Sequence, residues 1–67
     1  MMNPSAHGAK PWVLISGATS GFGEATALTL SASGWNVLLV GRRQARLERA
    51  AEACRAAGAE AHVAAWD

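Results

Sequence analysis

Three glycines in the first third of the chain are spaced so that the backbone between them could bind a pyrophosphate. They are Gly17, Gly21 and Gly23, in the segment Gly-Ala-Thr-Ser-Gly-Phe-Gly. One glycine allows a sharp reversal of the chain, a second lets the backbone approach an anion, and a third lets the following helix pack closely. The free N–H groups at the start of that helix would face the anion, and Thr19 and Ser20 add hydroxyl donors.

The alternative interpretation of these glycines is a tight turn that binds nothing. The surrounding pattern argues against it, because the turn follows an apolar strand, opens an amphipathic helix and lies within a βαβ unit. That context is the one in which such a motif binds a nucleotide. A mononucleotide P-loop is disfavoured because no lysine follows the last glycine. The sequence therefore predicts a dinucleotide site.

Two arginines after the second predicted strand indicate which dinucleotide binds. In a Rossmann half, an acidic residue about 20 residues after the glycine-rich turn holds the ribose 2′-hydroxyl of NAD. Here Gly41 occupies that place and is followed by Arg42 and Arg43. Guanidinium groups bind a 2′-phosphate through forked, charge-assisted hydrogen bonds. We therefore expect NADP(H) rather than NAD.

The alternative for the arginines is a solvated, basic start of a helix. Cations in the first turn of a helix are unfavourable by about 0.3–1 kcal/mol each. Arg46 adds a third cation one turn after the pair. Such a cluster is easier to explain if an anion lies among the guanidinium groups.

The elements that must position these residues follow from the hydrophobic pattern. Short apolar runs alternate with amphipathic segments, and Gly34 and Gly58 stand where helices commonly end. The pattern predicts strands at 12–16, 35–40 and 60–66, with the first two buried, and helices at about 22–33 and 43–57. The predicted apolar faces are Phe22, Ala25, Leu28 and Ala32 in the first helix, and Leu47, Ala50, Ala51, Cys54 and Ala57 in the second.

This alternation predicts an α/β fold. The expected architecture is a βαβαβ unit, the N-terminal half of a Rossmann-type doubly wound parallel sheet, truncated after the third strand. Residues 1–10 are expected to form a flexible tail, and residues 11–67 a partial Rossmann domain that binds NADP.

The composition of the 67 residues excludes several classes of function. Hydrophobic residues make up 51% of the chain, which argues against disorder. The net charge of +1 is too small for nonspecific nucleic-acid binding. A single cysteine, Cys54, excludes an internal disulfide and a Cys-rich zinc site, and no metal site is predicted. Because no apolar run is long enough to span a membrane and residues 1–10 lack a signal-peptide pattern, we expect a cytoplasmic location.

The glycine segment and the arginine pair together resemble the start of a short-chain dehydrogenase/reductase. The family pattern is Thr-Gly-x-x-x-Gly-x-Gly, followed by a helix, a strand and a turn that selects the cofactor. Ser16 replaces the usual Thr and keeps its hydroxyl, and Phe22 stands where Ile or Leu is commoner. The segments Gly-Phe-Gly-Glu and Gly-Arg-Arg-Gln-x-Arg-Leu are similar to those of NADP-dependent enzymes that act on serine and other 3-hydroxy acids.

The resemblance implies an oxidoreductase that exchanges a hydride between NADP(H) and a carbonyl or hydroxyl substrate, in a protein that forms homo-oligomers. It also implies that Arg42 and Arg43 bind the 2′-phosphate and that Asp67 hydrogen-bonds the adenine. The candidate cofactor-binding residues are then Gly17, Thr19, Ser20, Gly21, Phe22, Gly23, Arg42, Arg43 and Asp67.

No catalytic residue is assigned in this sequence. The family uses a Ser, a Tyr and a Lys four residues after the Tyr, all from the second half of its fold. The chain has no Tyr, and its single lysine, Lys10, precedes the first strand. Three hypotheses remain: the cofactor-binding part of an oxidoreductase that is inactive by itself, a non-catalytic NADP(H)-binding module, and a nonfunctional gene fragment.

Overall fold

A computed structural model describes residues 10–18 and 20–66, in which three strands alternate with two helices. The strands are β1 (Trp12–Ser16), β2 (Asn36–Gly41) and β3 (Ala61–Ala65), and the helices are α1 (Gly21–Ala32) and α2 (Gln44–Ala56). All three strands are parallel, in the sheet order β1-β2-β3. The α/β class and the βαβαβ order are confirmed, and each predicted boundary is within one residue of the observed one. Thr19, Asp67 and the predicted tail before Lys10 lie outside the described residues.

Both helices end where a glycine follows them. Ser33 caps α1 and Ala57 caps α2. The next residues, Gly34 and Gly58, have φ angles of +100° and +101°, in the left-handed region that other residues avoid. The predicted helix ends are therefore confirmed, and their cause is local to the chain.

The core lies between the two helices and one face of the sheet. Because successive strand residues point to opposite faces, the side chains on the core face are two apart in each strand. Leu39, Leu47, Val37 and Cys54 are the largest fully buried side chains. The buried cluster comprises Ile15, Ala18, Ala27, Val37, Leu39, Leu47, Ala51, Cys54 and Ala61, with Val13, Leu30, Ala50 and Val63 packed against it.

The opposite face of the sheet is open to solvent. Leu14 is 60% exposed and Trp12 is 39% exposed, so the prediction that β1 is buried on both faces is wrong. The physical reason is that α1 and α2 both pack on the other face, and none of the described residues covers this one. The ring of Trp12 instead stacks on His62 of β3, with ring centroids 5.4 Å apart.

The predicted apolar face of α1 is also wrong. Its buried residues are Ala27 and Ser31, whereas Phe22 is 89% and Leu28 is 44% exposed. Small side chains face the sheet because they let the helix approach it closely, and the hydroxyl of Ser31 donates a hydrogen bond to the carbonyl oxygen of Ala27 at 2.8 Å. A buried serine is therefore satisfied within its own helix.

The predicted face of α2 is largely confirmed. Leu47, Ala51 and Cys54 are buried and Ala50 is half-buried. Ala57 is exposed, contrary to the prediction, because it is the cap residue that follows the helix.

Polar contacts hold the amino-terminal edge of the sheet together. The side-chain carbonyl of Asn36, which is buried, accepts a hydrogen bond from the backbone N–H of Glu60 at 2.9 Å. The backbone N–H of Asn36 donates to the carbonyl oxygen of Pro11 at 2.8 Å. The ammonium group of Lys10 donates to the carbonyl oxygen of Gly58 at 2.8 Å. This edge lies at the opposite ends of the strands from the glycine-rich turn.

Candidate functional site

The glycine-rich turn and the arginine pair lie at the same edge of the sheet. Ser16, the last residue of β1, is paired with Val40 near the end of β2. The backbone N–H groups of Gly17 and Ala18 both donate to the carbonyl oxygen of Val40, at 3.0 and 3.2 Å. The turn after β1 is thus attached to the strand that leads to Arg42.

Ser20 closes the glycine-rich turn and begins α1. It is the N-cap residue, with its hydroxyl oxygen accepting a hydrogen bond from the N–H of Gly23 at 3.1 Å. The same hydroxyl donates to the carbonyl oxygen of Gly17, and so does the N–H of Ser20, both at 3.0 Å. The Ser20 hydroxyl is therefore used inside the turn, and the donors directed away from the helix start are the N–H groups of Gly21 and Phe22.

Each of the three glycines meets a different requirement of the turn. Gly17 has a φ of +74°, which allows the reversal after β1. A Cβ placed on Gly21 would have no heavy atom within 4 Å, so the space above this residue is open. A Cβ on Gly23 would collide with the carbonyl oxygen of Gly17 and lie 2.9 Å from the Cα of Ala18. The turn can therefore be approached at Gly21 and is packed at Gly23.

The turn after β2 presents two exposed arginines at the start of α2. Arg43 is the N-cap residue but makes no side-chain capping hydrogen bond, and the first turn of α2 has no acidic residue. Arg42 is exposed as well. The positive end of the helix dipole is therefore combined with two guanidinium groups, an arrangement that favours an anion.

The end of β3 lies at the same edge of the sheet as the glycine-rich turn and the arginine pair. The N–H of Trp66 donates to the carbonyl oxygen of Gly41 at 3.0 Å, and Trp66 is 56% exposed. Of the nine candidate residues, the structure places seven around this edge. The other two, Thr19 and Asp67, lie outside the described residues.

Two of the grooves in the described part of the chain include glycines of the turn in their lining. One lies between the helices and contains Arg46, whose place beside the turn is not evident from the sequence pattern alone. Its lining residues are Gly21, Glu24, Ala25, Leu28, Arg46, Arg49, Ala50 and Ala53. The other runs between β1 and α1, and is lined by residues that include Leu14, Ser16, Phe22 and Leu30. The exposed ring of Phe22 thus lies where the glycine-rich turn meets the side of β1 that pairs with no other described strand.

Residues 10–18 and 20–66 contain no group of three or more His, Cys, Asp or Glu side chains that could hold a metal ion. Neither α1 nor α2 is long and apolar enough to cross a membrane.

Comparison with known proteins identifies the family. Residues 11–67 match the family model described as short chain dehydrogenase. Serine 3-dehydrogenase of Agrobacterium fabrum (strain C58) is 58% identical over 36 residues, which are 54% of this chain and 14% of that enzyme.

Solved structures of similar fold include proteins with either nicotinamide cofactor. A metagenomic short-chain oxidoreductase in complex with NADP superposes with a TM-score of 0.79 and 33% identity, over 85% of this chain and 26% of that one. An NAD+-bound xylitol dehydrogenase superposes with a TM-score of 0.81 and 33% identity, over 85% of this chain and 22% of that one. The chain spans a small part of the length of each relative. It belongs to the short-chain dehydrogenase/reductase family of oxidoreductases.

Proposed function

We propose that this chain forms the NADP(H)-binding part of an oxidoreductase. The observation that carries the proposal is the attachment of the glycine-rich turn to β2 through the carbonyl oxygen of Val40. It brings the helix N-terminus at Gly21 and the arginines at 42 and 43 to one edge of the sheet. The chain therefore offers sites for two anionic groups, a pyrophosphate and a 2′-phosphate, at this edge.

The described residues fit a dinucleotide. The open space above Gly21 leaves room for a phosphate close to the backbone, where the N–H groups of Gly21 and Phe22 can donate. Gly17 and Gly23 would shape the turn, and Ser20 would hold it. Thr19 is proposed to donate its hydroxyl to the phosphate, as its place in the glycine-rich turn suggests, and Asp67 is proposed to contact the adenine on the resemblance alone.

NADP(H) is favoured over NAD(H) by charge. Relatives of known structure include one with NADP and one with NAD+, so the fold accommodates both. In this chain Arg42 and Arg43 are exposed at the end of β2, and the first turn of α2 has no carboxylate. A 2′-phosphate would meet guanidinium groups there, while the bare 2′-hydroxyl of NAD would lack an acidic partner.

The residues for proton transfer are proposed to come from elsewhere in the polypeptide. A bound nicotinamide cofactor supplies or accepts the hydride. The sequence has no Tyr, and the ammonium group of its one lysine, Lys10, contacts Gly58 at the far edge of the sheet. We therefore expect the 67 residues to be inactive by themselves. The same observation favours a second candidate, a non-catalytic NADP(H)-binding module.

The substrate proposal is a carbonyl or hydroxyl compound, with a 3-hydroxy acid as the specific class. It is supported by the match to a serine 3-dehydrogenase over 36 residues, which are 54% of this chain. A homo-oligomer is proposed on the family resemblance alone.

The cofactor proposal can be tested by titrating the protein with NADPH and NADH while following tryptophan fluorescence. The backbone N–H of Trp66 is hydrogen-bonded to the carbonyl oxygen of Gly41, so we expect the fluorescence of its indole ring to change when a cofactor binds beside Arg42. We expect NADPH to bind more tightly than NADH. Arg42→Ala and Arg43→Ala should each weaken NADPH about tenfold or more, since a hydrogen bond to a charged group contributes about 1.5–3 kcal/mol. NADH binding should stay nearly unchanged. NADPH binding that ignores both substitutions would contradict the proposal.

A further inference from the structure

We infer that the indole ring of Trp66 is a stacking surface for the adenine of the cofactor, beside the guanidinium group of Arg42. The inference rests on the proposed function, because it requires a dinucleotide at this edge of the sheet. It adds to the site an aromatic residue that lies outside both the glycine-rich turn and the arginine pair.

The pairing of β2 with β3 brings Trp66 next to Arg42 along the backbone. Gly41 is paired with Ala65, so the next residues in the same parallel register are Arg42 and Trp66. The N–H of Trp66 continues the ladder by donating to the carbonyl oxygen of Gly41 at 3.0 Å. Neighbouring strands lie about 4.8 Å apart, so the side chains of Arg42 and Trp66 start from adjacent points at the carboxyl edge of the sheet.

Trp66 differs from the other two tryptophans in its place and its exposure. Trp12 begins β1 and Trp35 precedes β2, so both lie at the amino-terminal edge of the sheet. The ring of Trp12 stacks on His62, and Trp35 is half-buried. Trp66 lies at the carboxyl edge and is 56% exposed. Because doubly wound sheets bind their ligands outside the carboxyl ends of the strands, Trp66 is placed where a ligand would meet its ring.

The adenosine 2′-phosphate part of NADP(H) combines the two chemical groups that this surface can bind. Its ribose carries the purine on one carbon and the phosphate on the next, so the ligand presents a flat ring and an anion side by side. Arg42 and Trp66 present a cation and an aromatic face side by side, and both side chains are exposed. Bases stack on aromatic side chains through their π-faces, whatever their hydrogen-bonding pattern. The adenine therefore lies against the indole ring while the guanidinium group holds the phosphate.

The first test measures affinity by calorimetry in the purified protein, since the substitutions remove a fluorophore. The probes are NADPH and adenosine 2′,5′-bisphosphate, which keeps the adenine and the 2′-phosphate but lacks the nicotinamide half. We expect Trp66→Ala to weaken both probes about tenfold, the usual loss when a stacking ring is removed. Trp66→Phe should retain most of the affinity, because it keeps an aromatic face. Trp12→Ala is the matched control and should leave both affinities nearly unchanged, because Trp12 stacks on His62 at the opposite edge of the sheet.

The second test uses fluorescence, which a purely structural role of Trp66 would not affect. Adenosine 2′,5′-bisphosphate should quench the tryptophan emission of the unsubstituted protein, because the adenine stacks on an indole ring. The quench should disappear in Trp66→Phe, even though that variant still binds the probe. It should persist in Trp12→Phe, which removes a tryptophan at the other edge of the sheet.

Two outcomes would overturn the inference. One is an unchanged affinity for adenosine 2′,5′-bisphosphate in Trp66→Ala. The other is a quench that persists in Trp66→Phe, which decides the matter even if Trp66→Ala fails to fold. If Arg42→Ala weakens the bisphosphate and Trp66→Ala does not, only this inference fails. If the unsubstituted protein binds neither NADPH nor the bisphosphate, the proposed function fails with it.

Discussion

The Cα of Gly23 lies so close to the carbonyl oxygen of Gly17 that a methyl group on Gly23 would collide with it. The contact joins the first turn of α1 to the residue that leaves β1. It is a backbone contact, which cannot yield as the end of a flexible side chain can. The separation between helix and strand at the candidate site therefore depends on the absence of a side chain at residue 23.

Gly23→Ala should destabilise the protein by about 1–3 kcal/mol, the usual effect of overpacking, and should weaken cofactor binding by displacing the turn. Gly21→Ala is the matched control, because its added Cβ has no heavy atom within 4 Å. That variant should keep or slightly raise the free energy of unfolding, because alanine favours a helix more than glycine does, and should lose only cofactor affinity. Urea denaturation and cofactor titration of both variants measure the two effects. Equal stability of Gly23→Ala and the unsubstituted protein would contradict the collision.

Ser20→Ala should lower the free energy of unfolding by about 1 kcal/mol, because it removes the acceptor that caps the Gly23 N–H. Ser20→Asp, which restores an acceptor, should recover most of that loss. Ser33→Ala provides a comparison at the other end of α1, where the hydroxyl donates to the carbonyl oxygen of Thr29 at 3.0 Å. If Ser20→Ala and Ser33→Ala lower the free energy of unfolding equally, the Ser20 hydroxyl stabilises the helix no more than the Ser33 hydroxyl does.

Salt should weaken NADPH binding more steeply than NADH binding. The two cofactors differ by the 2′-phosphate, whose proposed partners Arg42 and Arg43 are exposed and therefore screened by ions. Titrations over a series of ionic strengths measure how steeply the dissociation constant of each cofactor rises with salt concentration. In the Arg42→Ala, Arg43→Ala double variant the slopes should become nearly equal. Parallel slopes in the unsubstituted protein would argue against an arginine site for the 2′-phosphate.

The 67-residue polypeptide should associate when prepared by itself. β1 is an outer strand of the sheet, paired on one side only, and its side chains Leu14 and Trp12 are 60% and 39% exposed on the open face. Apolar strands in this position pair with strands of other chains. Leu14→Lys should reduce this association by placing a charge on the edge strand. Light scattering over a concentration series measures it. A monodisperse, monomeric polypeptide with one cooperative thermal transition would show the prediction to be wrong.

Much of the fold could be predicted because its signals are local. Gly34 and Gly58 end the helices through their own backbone angles, and the apolar runs of β1 and β2 are short and bounded by turn residues. The three glycines of the turn could also be interpreted from spacing, since a reversal, a close approach and a tight helix contact each require a missing side chain. These features depend on a few consecutive residues.

The face that α1 turns toward the sheet was not predictable in the same way. Phe22 and Leu28 are the larger apolar side chains, yet the sheet is contacted by Ala27 and by Ser31, whose hydroxyl is satisfied at Ala27. The direction in which the chain leaves the turn decides the face of the helix that meets the sheet. That direction is a property of the assembled β1, turn and β2.

The sequence by itself determined the order of elements, the helix ends, and the residue types at the candidate site. Only the tertiary structure decided which of those residues meet. The two N–H groups after β1 share the carbonyl oxygen of Val40, and Arg46 reaches the groove that contains Gly21. Both relationships join residues more than 20 positions apart, through parallel pairing of β1 with β2 and packing of α1 beside α2. Contacts of this kind depend on the packing of whole helices and strands, which a local sequence pattern does not predict.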